Sequence, residues 1–367
     1  MRLSSGGAEP RAMVVPPVNS AGERQSRPDF VHRAVAFFRR HPILLLLAFT
    51  PGIPEYLSGS SPVRLVALVP DGTVVFFLFL ALNLGLYGPG VLLVREAHVR
   101  WKKGWSTILL LGAAYGLLEE GTALSTLFDP QASVVSGLGS YGHAGGVNWV
   151  WLIGILGVHA VFSVGVPILL LGLALPETRG QPFLTGPRLP AALVVYAVDI
   201  VLLNAIVRYW VGIPLQLTAV GVAAVLWLVA WRLPPGLLDP PSLAPRHGPW
   251  RFFVYGVVYF VLLLLVPGIV EDLRQPAAVA FAADALFLLL LFLVVRNDIG
   301  RSANAPQLVV LAFGLVLPLM IVGLAAQLLL PLVLLLDGVA GYFFLTLWRH
   351  YRPTAVPPGA LLGAPVA

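Results

Sequence analysis

Ten stretches of about 20 mostly apolar residues, separated by short turns that carry most of the charge, run through this chain of 367 residues. An α-helix needs a run of that length to cross roughly 30 Å of hydrocarbon, and in lipid a helix satisfies all its backbone hydrogen bonds within one segment. The expected fold is therefore an all-α polytopic helical bundle. Its spans fall near 42–57, 72–94, 106–127, 147–175, 189–210, 213–232, 251–269, 277–296, 306–325 and 329–348. Charged residues make up 11% and the mean hydropathy is +0.88, against roughly 25% charged in soluble domains. That excludes a string of soluble modules.

The basic residues test this division. Numbered by alternate turns, 20 of the 23 Lys and Arg fall on the side of the N-terminus, and only Arg64, Arg208 and Arg274 on the other. Such a bias marks the cytoplasmic face, so both termini are expected inside the cell (plasma) membrane of a compact, prokaryotic-type protein. The formal charge of +6 lies in these flanks and only two of the basic residues are lysine; no nucleic-acid partner follows. The lipid bilayer is the expected partner, together with a membrane-embedded peptide or small solute. Oligomeric state is open. Without cysteine, disulfides, thiolate metal sites and cysteine nucleophiles are excluded. Residues 1–28, rich in Pro, Gly, Ser and Arg, read as a disordered cytoplasmic tail, and 353–367 as a second one. The segment 29–41 reads as an interfacial helix or as the cytoplasmic extension of the first span, and 42–352 as the transmembrane domain.

Within the third span stand two adjacent acids, Glu119 and Glu120. A charge near the bilayer centre costs about 2.5–3.5 kcal/mol on insertion scales, so an intramembrane acid is a functional candidate. At helical spacing Tyr115, Glu119, Thr122 and Thr126 share one face. The fourth span places His159 near mid-membrane, with Asn148, Ile155 and Ser163 close to the same face, and the fifth embeds Asp199, Asn204 and Arg208. Further acids, Glu55, Asp71, Glu271 and Asp272, gather at the outer ends. The expected product is a polar cavity opening away from the cytoplasm, lined by Tyr115, Thr122, Asn148, Ser163, Asp199, Asn204 and Arg208. Asp284 and Asp337 are read as structural.

Glu119, Glu120 and His159 are the residue types that activate water: a shielded carboxylate accepts its proton while a second acid or an imidazole orients it. No cofactor is expected. Carboxylate and imidazole also bind metals, and His143 could complete a set, but no HExxH spacing occurs, so metal has weak support. The bland alternative makes each glutamate a packing device, hydrogen-bonded to Tyr115 or paired with Arg208 or His159, and His159 alone a satisfied packing histidine. Interhelical polar contacts of that kind average about 0.6 kcal/mol.

Around these residues, over about 109–175, the chain resembles the CAAX-protease and bacteriocin-processing-enzyme intramembrane endopeptidases. Glu119 and Glu120 match that family's opening glutamate pair and His159 its first histidine. Leu124 stands where the family has arginine, Ile155 where it has phenylalanine, and no second histidine follows in the spans. The resemblance implies Glu119 or Glu120 as the base and His159 as a stabiliser of the oxyanion; the departures equally fit a related fold without that activity. YLSGSSP (56–62), YGPGVLLVRE (87–96) and YGLLEEG (115–121), with Ser125 to Phe128 following, resemble an uncharacterised bacterial multi-pass membrane protein family, which implies a fold and no activity.

Two other classes stay open. Pro51, Pro54, Gly88, Pro89, Gly90 and Pro167 supply helix breaks, and midplane acids beside a histidine suit a proton-coupled or small-solute transporter. A non-catalytic scaffold is the third. PGIPE (51–55) and PGIVE (267–271), LVREAHVR (93–100) and VVRNDIGR (294–301), and AYGLL (114–118) and AFGLV (312–316) suggest a parallel repeat of spans one to four and seven to ten. The loop 129–146 reads as a connector more readily than as a lid.

Overall fold

The computed structural model describes residues 30–61, 71–132, 138, 140–207, 209, 211–238, 247–300, 303–327 and 331–352. Both expected tails, and Arg208, lie outside these residues. The chain divides between Arg40 and His41. In the first unit the described element is α1 (Phe30–Arg40), whose last turn carries Arg39 and Arg40.

The second unit is built from helices α2 (Pro42–Pro51), α3 (Gly72–Trp101), α4 (Trp105–Leu118), α5 (Trp149–Val158), α6 (Val166–Ala174), α7 (Arg188–Ile206), α8 (Ile213–Arg232), α9 (Pro249–Asp272), α10 (Ala277–Val294), α11 (Ala305–Ala326) and α12 (Pro331–Tyr351). A helix occupies every one of the ten expected intervals. Among the described residues, eight spans are by length and composition long and apolar enough to cross a membrane by themselves. The other two intervals, 42–57 and 106–127, hold shorter α-helices that end in π-helical turns, Gly52–Leu57 and Glu119–Ala123. A third π segment, His159–Gly165, joins α5 to α6, and a fourth, Val295–Ile299, ends α10. A two-stranded hairpin, β1 (His143–Ala144) against β2 (Val147–Asn148), is the only sheet among the described residues.

Small residues set the closest helix crossings. A Cβ on Gly314 would meet the Phe253 carbonyl oxygen at 2.3 Å, and one on Gly256 the Leu315 nitrogen at 2.5 Å, so α9 and α11 pack backbone to backbone. Around this crossing lies an apolar core cluster, which includes Phe162, Phe252, Tyr259, Leu263 and Val316. The paired segments of the expected repeat use their glycines differently: Gly314 faces α9, whereas its counterpart Gly116 faces His159.

At the C-terminal end of α3 the chain is tied by the buried Glu96, 3.5 Å from the buried Arg95. Glu96 accepts from Arg100 Nε at 3.0 Å and from the Phe183 backbone N–H at 2.5 Å, while Arg95 donates to the carbonyls of Thr178 (2.5 Å) and Gln181 (3.0 Å). The turn 176–184 is thereby pinned to the end of α3.

Candidate functional site

Glu119 and Glu120 are neighbours in sequence, and in a regular α-helix their side chains would diverge by about 100°. Both lie in the π turn Glu119–Ala123, and they meet the ring at its two different nitrogens. Both carboxylates reach the same imidazole: His159 Nδ1 stands 3.2 Å from Glu119 Oε2, and His159 Nε2 is 3.0 Å from Glu120 Oε1. His159 itself opens the π segment His159–Gly165. Insertions of this kind occur often at functional sites. All three side chains are buried.

Gly116 makes room for the ring, since a Cβ there would stand 2.9 Å from His159 Cβ and 3.0 Å from its Cδ2. One turn earlier, Gly112 meets the Ala160 backbone in the same way. Gly112 and Gly116 form a G-x-x-x-G pair, the spacing that lets two membrane helices approach closely.

Hydrogen bonds extend from this core in both directions. Glu120 Oε2 accepts from the Thr126 hydroxyl, and Trp151 Nε1 donates to Thr126 Oγ1 at 3.2 Å. Ser163 Oγ lies 2.9 Å from His159 Nδ1. On the other side the Tyr87 hydroxyl lies 2.6 Å from Glu119 Oε1 and 2.7 Å from Glu55 Oε1. One phenolic hydrogen serves only one of those contacts, so the second requires a proton on a carboxyl. Glu55 continues through Ser61 Oγ (2.9 Å), which accepts from Asn83 Nδ2 at 2.7 Å. No lysine or arginine among the described residues pairs with these three glutamates. Holding two buried carboxylates and the half-buried Glu55 with one imidazole in low dielectric is tolerable only if protons are shared along the chain.

Several buried polar atoms at the centre have no hydrogen-bond partner: Glu119 Oε2, the hydroxyls of Tyr115 and Tyr196, Thr122 Oγ1 and Asp199 Oδ2. The Tyr115 ring contacts the His159 ring at 5.7 Å between centroids and stacks on Tyr196 at 6.0 Å. Its hydroxyl lies beside Glu119 without forming a well-directed bond. Asp199 is buried against α3, with its carboxylate filling the space a Cβ on Gly85 would take.

Other expected lining residues hold the scaffold. Asn204 Nδ2 donates to the Thr122 carbonyl at 2.7 Å, anchoring α7 to the π turn. Asn148 caps α5, accepting from Trp151 N at 2.9 Å, and its Nδ2 donates to the Leu138 carbonyl at 2.5 Å. His143 Nε2 contacts the Phe128 carbonyl at 3.1 Å, and His143 is outside the metal-competent group of Glu119, Glu120 and His159, whose ligand atoms lie within 4.8 Å of one another. Sequence reasoning did not single out Tyr87 or Tyr196, and it left Glu55 at the outer rim. The motif YGPG around Tyr87 and the PGIPE break before Glu55 were the available signals.

A family model described as an uncharacterized membrane protein family matches residues 44–350. The chain belongs to that family. The match runs from α2 into α12 and so includes every residue of the cluster. No curated protein and no solved structure matches the chain.

Proposed function

We propose that the protein is an intramembrane hydrolase with a carboxylate–histidine centre. One observation carries the reading: Glu119 Oε2 is a buried carboxylate oxygen that stands 3.2 Å from His159 Nδ1 without a directed hydrogen bond, near the Tyr115 and Tyr196 rings, whose hydroxyls are buried without hydrogen-bond partners. A water bound there would give its proton to Glu119 while attacking a carbonyl of a membrane-embedded peptide or other acyl substrate. The Tyr115 and Tyr196 hydroxyls are the donors for the developing oxyanion. His159, held by Glu120 and Ser163, relays the proton towards the leaving group. A divalent metal held by one atom each of Glu119, Glu120 and His159 is a second form of the same site, because three protein ligands leave a position for water. Chelation followed by metal addition separates the two forms.

The test uses membranes containing the full chain, incubated in water enriched in oxygen-18. Products that acquire the label in the presence of the wild-type protein should fall about 100-fold or more with Glu119→Gln, the range for loss of a general base. Labelling by the glutamine variant equal to wild type would overturn the reading.

A specific observation favours proton-coupled transport as the alternative. Tyr87 joins Glu55 to Glu119, which extends the relay beyond what hydrolysis needs. In proteoliposomes with a trapped pH dye, that alternative requires proton entry which Tyr87→Phe abolishes; no flux above empty vesicles would sink it.

A further inference from the structure

Two adjoining cavities lie at the basic ends of the spans, and neither is lined by Glu55, Glu119, Glu120 or His159. The first, of about 360 Å³, has Arg95, His98, Lys103 and Arg179 in its wall. The second, of about 140 Å³, is almost entirely apolar, with Tyr259, Leu291, Leu311 and Leu315 among its lining residues. Trp105, Leu169 and Leu308 line both. A polar, cationic chamber therefore opens against an apolar one across a shared wall.

We propose that the pair of cavities binds one anionic phospholipid, its phosphate in the basic chamber and part of an acyl chain in the apolar one. The cations there are held by carbonyls, which accept hydrogen bonds without cancelling charge. Lys103 Nζ donates to the Leu233 carbonyl at 2.5 Å, Arg179 Nε to the Gly172 carbonyl at 2.8 Å, and Arg95 to two carbonyls of the 176–184 turn. Of the acids at this end, Glu96 is shared between Arg95 at 3.5 Å and Arg100 at 3.0 Å, Asp298 pairs with Arg251 at 3.1 Å, and Glu177 lies exposed in the 176–184 turn. Lys103 and Arg179 have no acidic partner among the described residues. His98 Nδ1 is buried without a partner beside them. A phosphate supplies the missing negative charge and the acceptor oxygens. A free anion would leave the apolar chamber unused, whereas a phospholipid fills both. Basic pockets between membrane helices are recognised binding places for anionic headgroups.

The full chain, purified in detergent, is titrated with phosphatidylglycerol, phosphatidylcholine and glycerol 3-phosphate, and bound lipid is counted by native mass spectrometry. Phosphatidylglycerol should bind about tenfold or more tighter than phosphatidylcholine. With a contribution of about fivefold for each cation, the double variant Lys103→Gln, Arg179→Gln should weaken phosphatidylglycerol by about 25-fold and leave phosphatidylcholine unchanged. Leu308→Trp, which fills the shared wall with every charge kept, should also reduce phosphatidylglycerol binding, and it decides the matter if the double variant loses its helical circular dichroism. Arg232→Gln, outside both cavities, should have no effect. Equal binding of the two lipids, glycerol 3-phosphate binding as tightly as phosphatidylglycerol, or undiminished phosphatidylglycerol binding by the folded variants would overturn the proposal.

Discussion

Tyr87 and Tyr115 have similar burial and lie 5.8 Å apart between ring centroids, yet their hydroxyls do opposite things. Tyr87 joins two carboxyl groups, so Tyr87→Phe leaves one carboxylate oxygen without its donor and one protonated carboxyl without its acceptor. Each such orphan costs about 1–3 kcal/mol, and the variant should melt several degrees lower in detergent. The hydroxyl of Tyr115 has no partner. Tyr115→Phe should therefore shift the melting temperature little, while under the hydrolase reading it lowers turnover by about 10²–10³-fold, the range for one oxyanion donor. A stable but inactive Tyr115→Phe and an unstable Tyr87→Phe is the expected pattern; the reverse would contradict the hydrogen-bond assignment. At the basic ends of the spans, Glu96 is the buried partner of Arg95 and Arg100. Glu96→Gln removes one member of a buried pair, for which about 3–5 kcal/mol is typical, read as a lower midpoint of chemical unfolding in mixed micelles.

Among the elements, the π turns matter more than the long spans. Three of them carry Glu55, Glu119 with Glu120, and His159, and each sits where a shorter or broken helix enters the core. The helices at the ten intervals, eight of them long and apolar enough to cross a membrane among the described residues, were legible from hydropathy because length and apolarity are additive properties of a segment. The π turns were not, because one inserted residue leaves no composition signature. A strict 3.6-residue period put Glu119 on a polar stripe and Glu120 on an apolar one; in the structure both reach His159, at its two different nitrogens. The close helix crossings could have been anticipated from Gly112 and Gly116. Glycine substitutions test this scale. Gly314→Ala meets a backbone carbonyl at 2.3 Å, which cannot yield as a side chain can, and should cost about 1–3 kcal/mol. Gly338→Ala has nothing within 4 Å and should be stabilising by about 0.5–1 kcal/mol. Opposite signs in the two melting temperatures are the expected result.

For the molecule as a whole, the absence of cysteine makes topology directly measurable. Single cysteines at Lys102 and Gly180 should react with an impermeant maleimide from the same side of the membrane, and one at Leu273 only from the other. Labelling of all three from one side would refute the arrangement read from the basic residues.

Hydropathy and charge pattern alone specify an all-α polytopic membrane protein, the approximate place of its helices, and the identity of its costly intramembrane acids. They do so because the transfer of a helix into lipid depends on local composition summed over about 20 residues. Which of those acids meet is a matter of how the helices pack. Glu55, Tyr87, Glu119 and His159 come from four separate segments, and their contacts depend on backbone insertions and on glycines that admit a ring. The packing also decides that Asn148 and Asn204 brace the backbone. A polar side chain in a span announces its own desolvation cost, but its partner is chosen by packing between helices far apart in sequence.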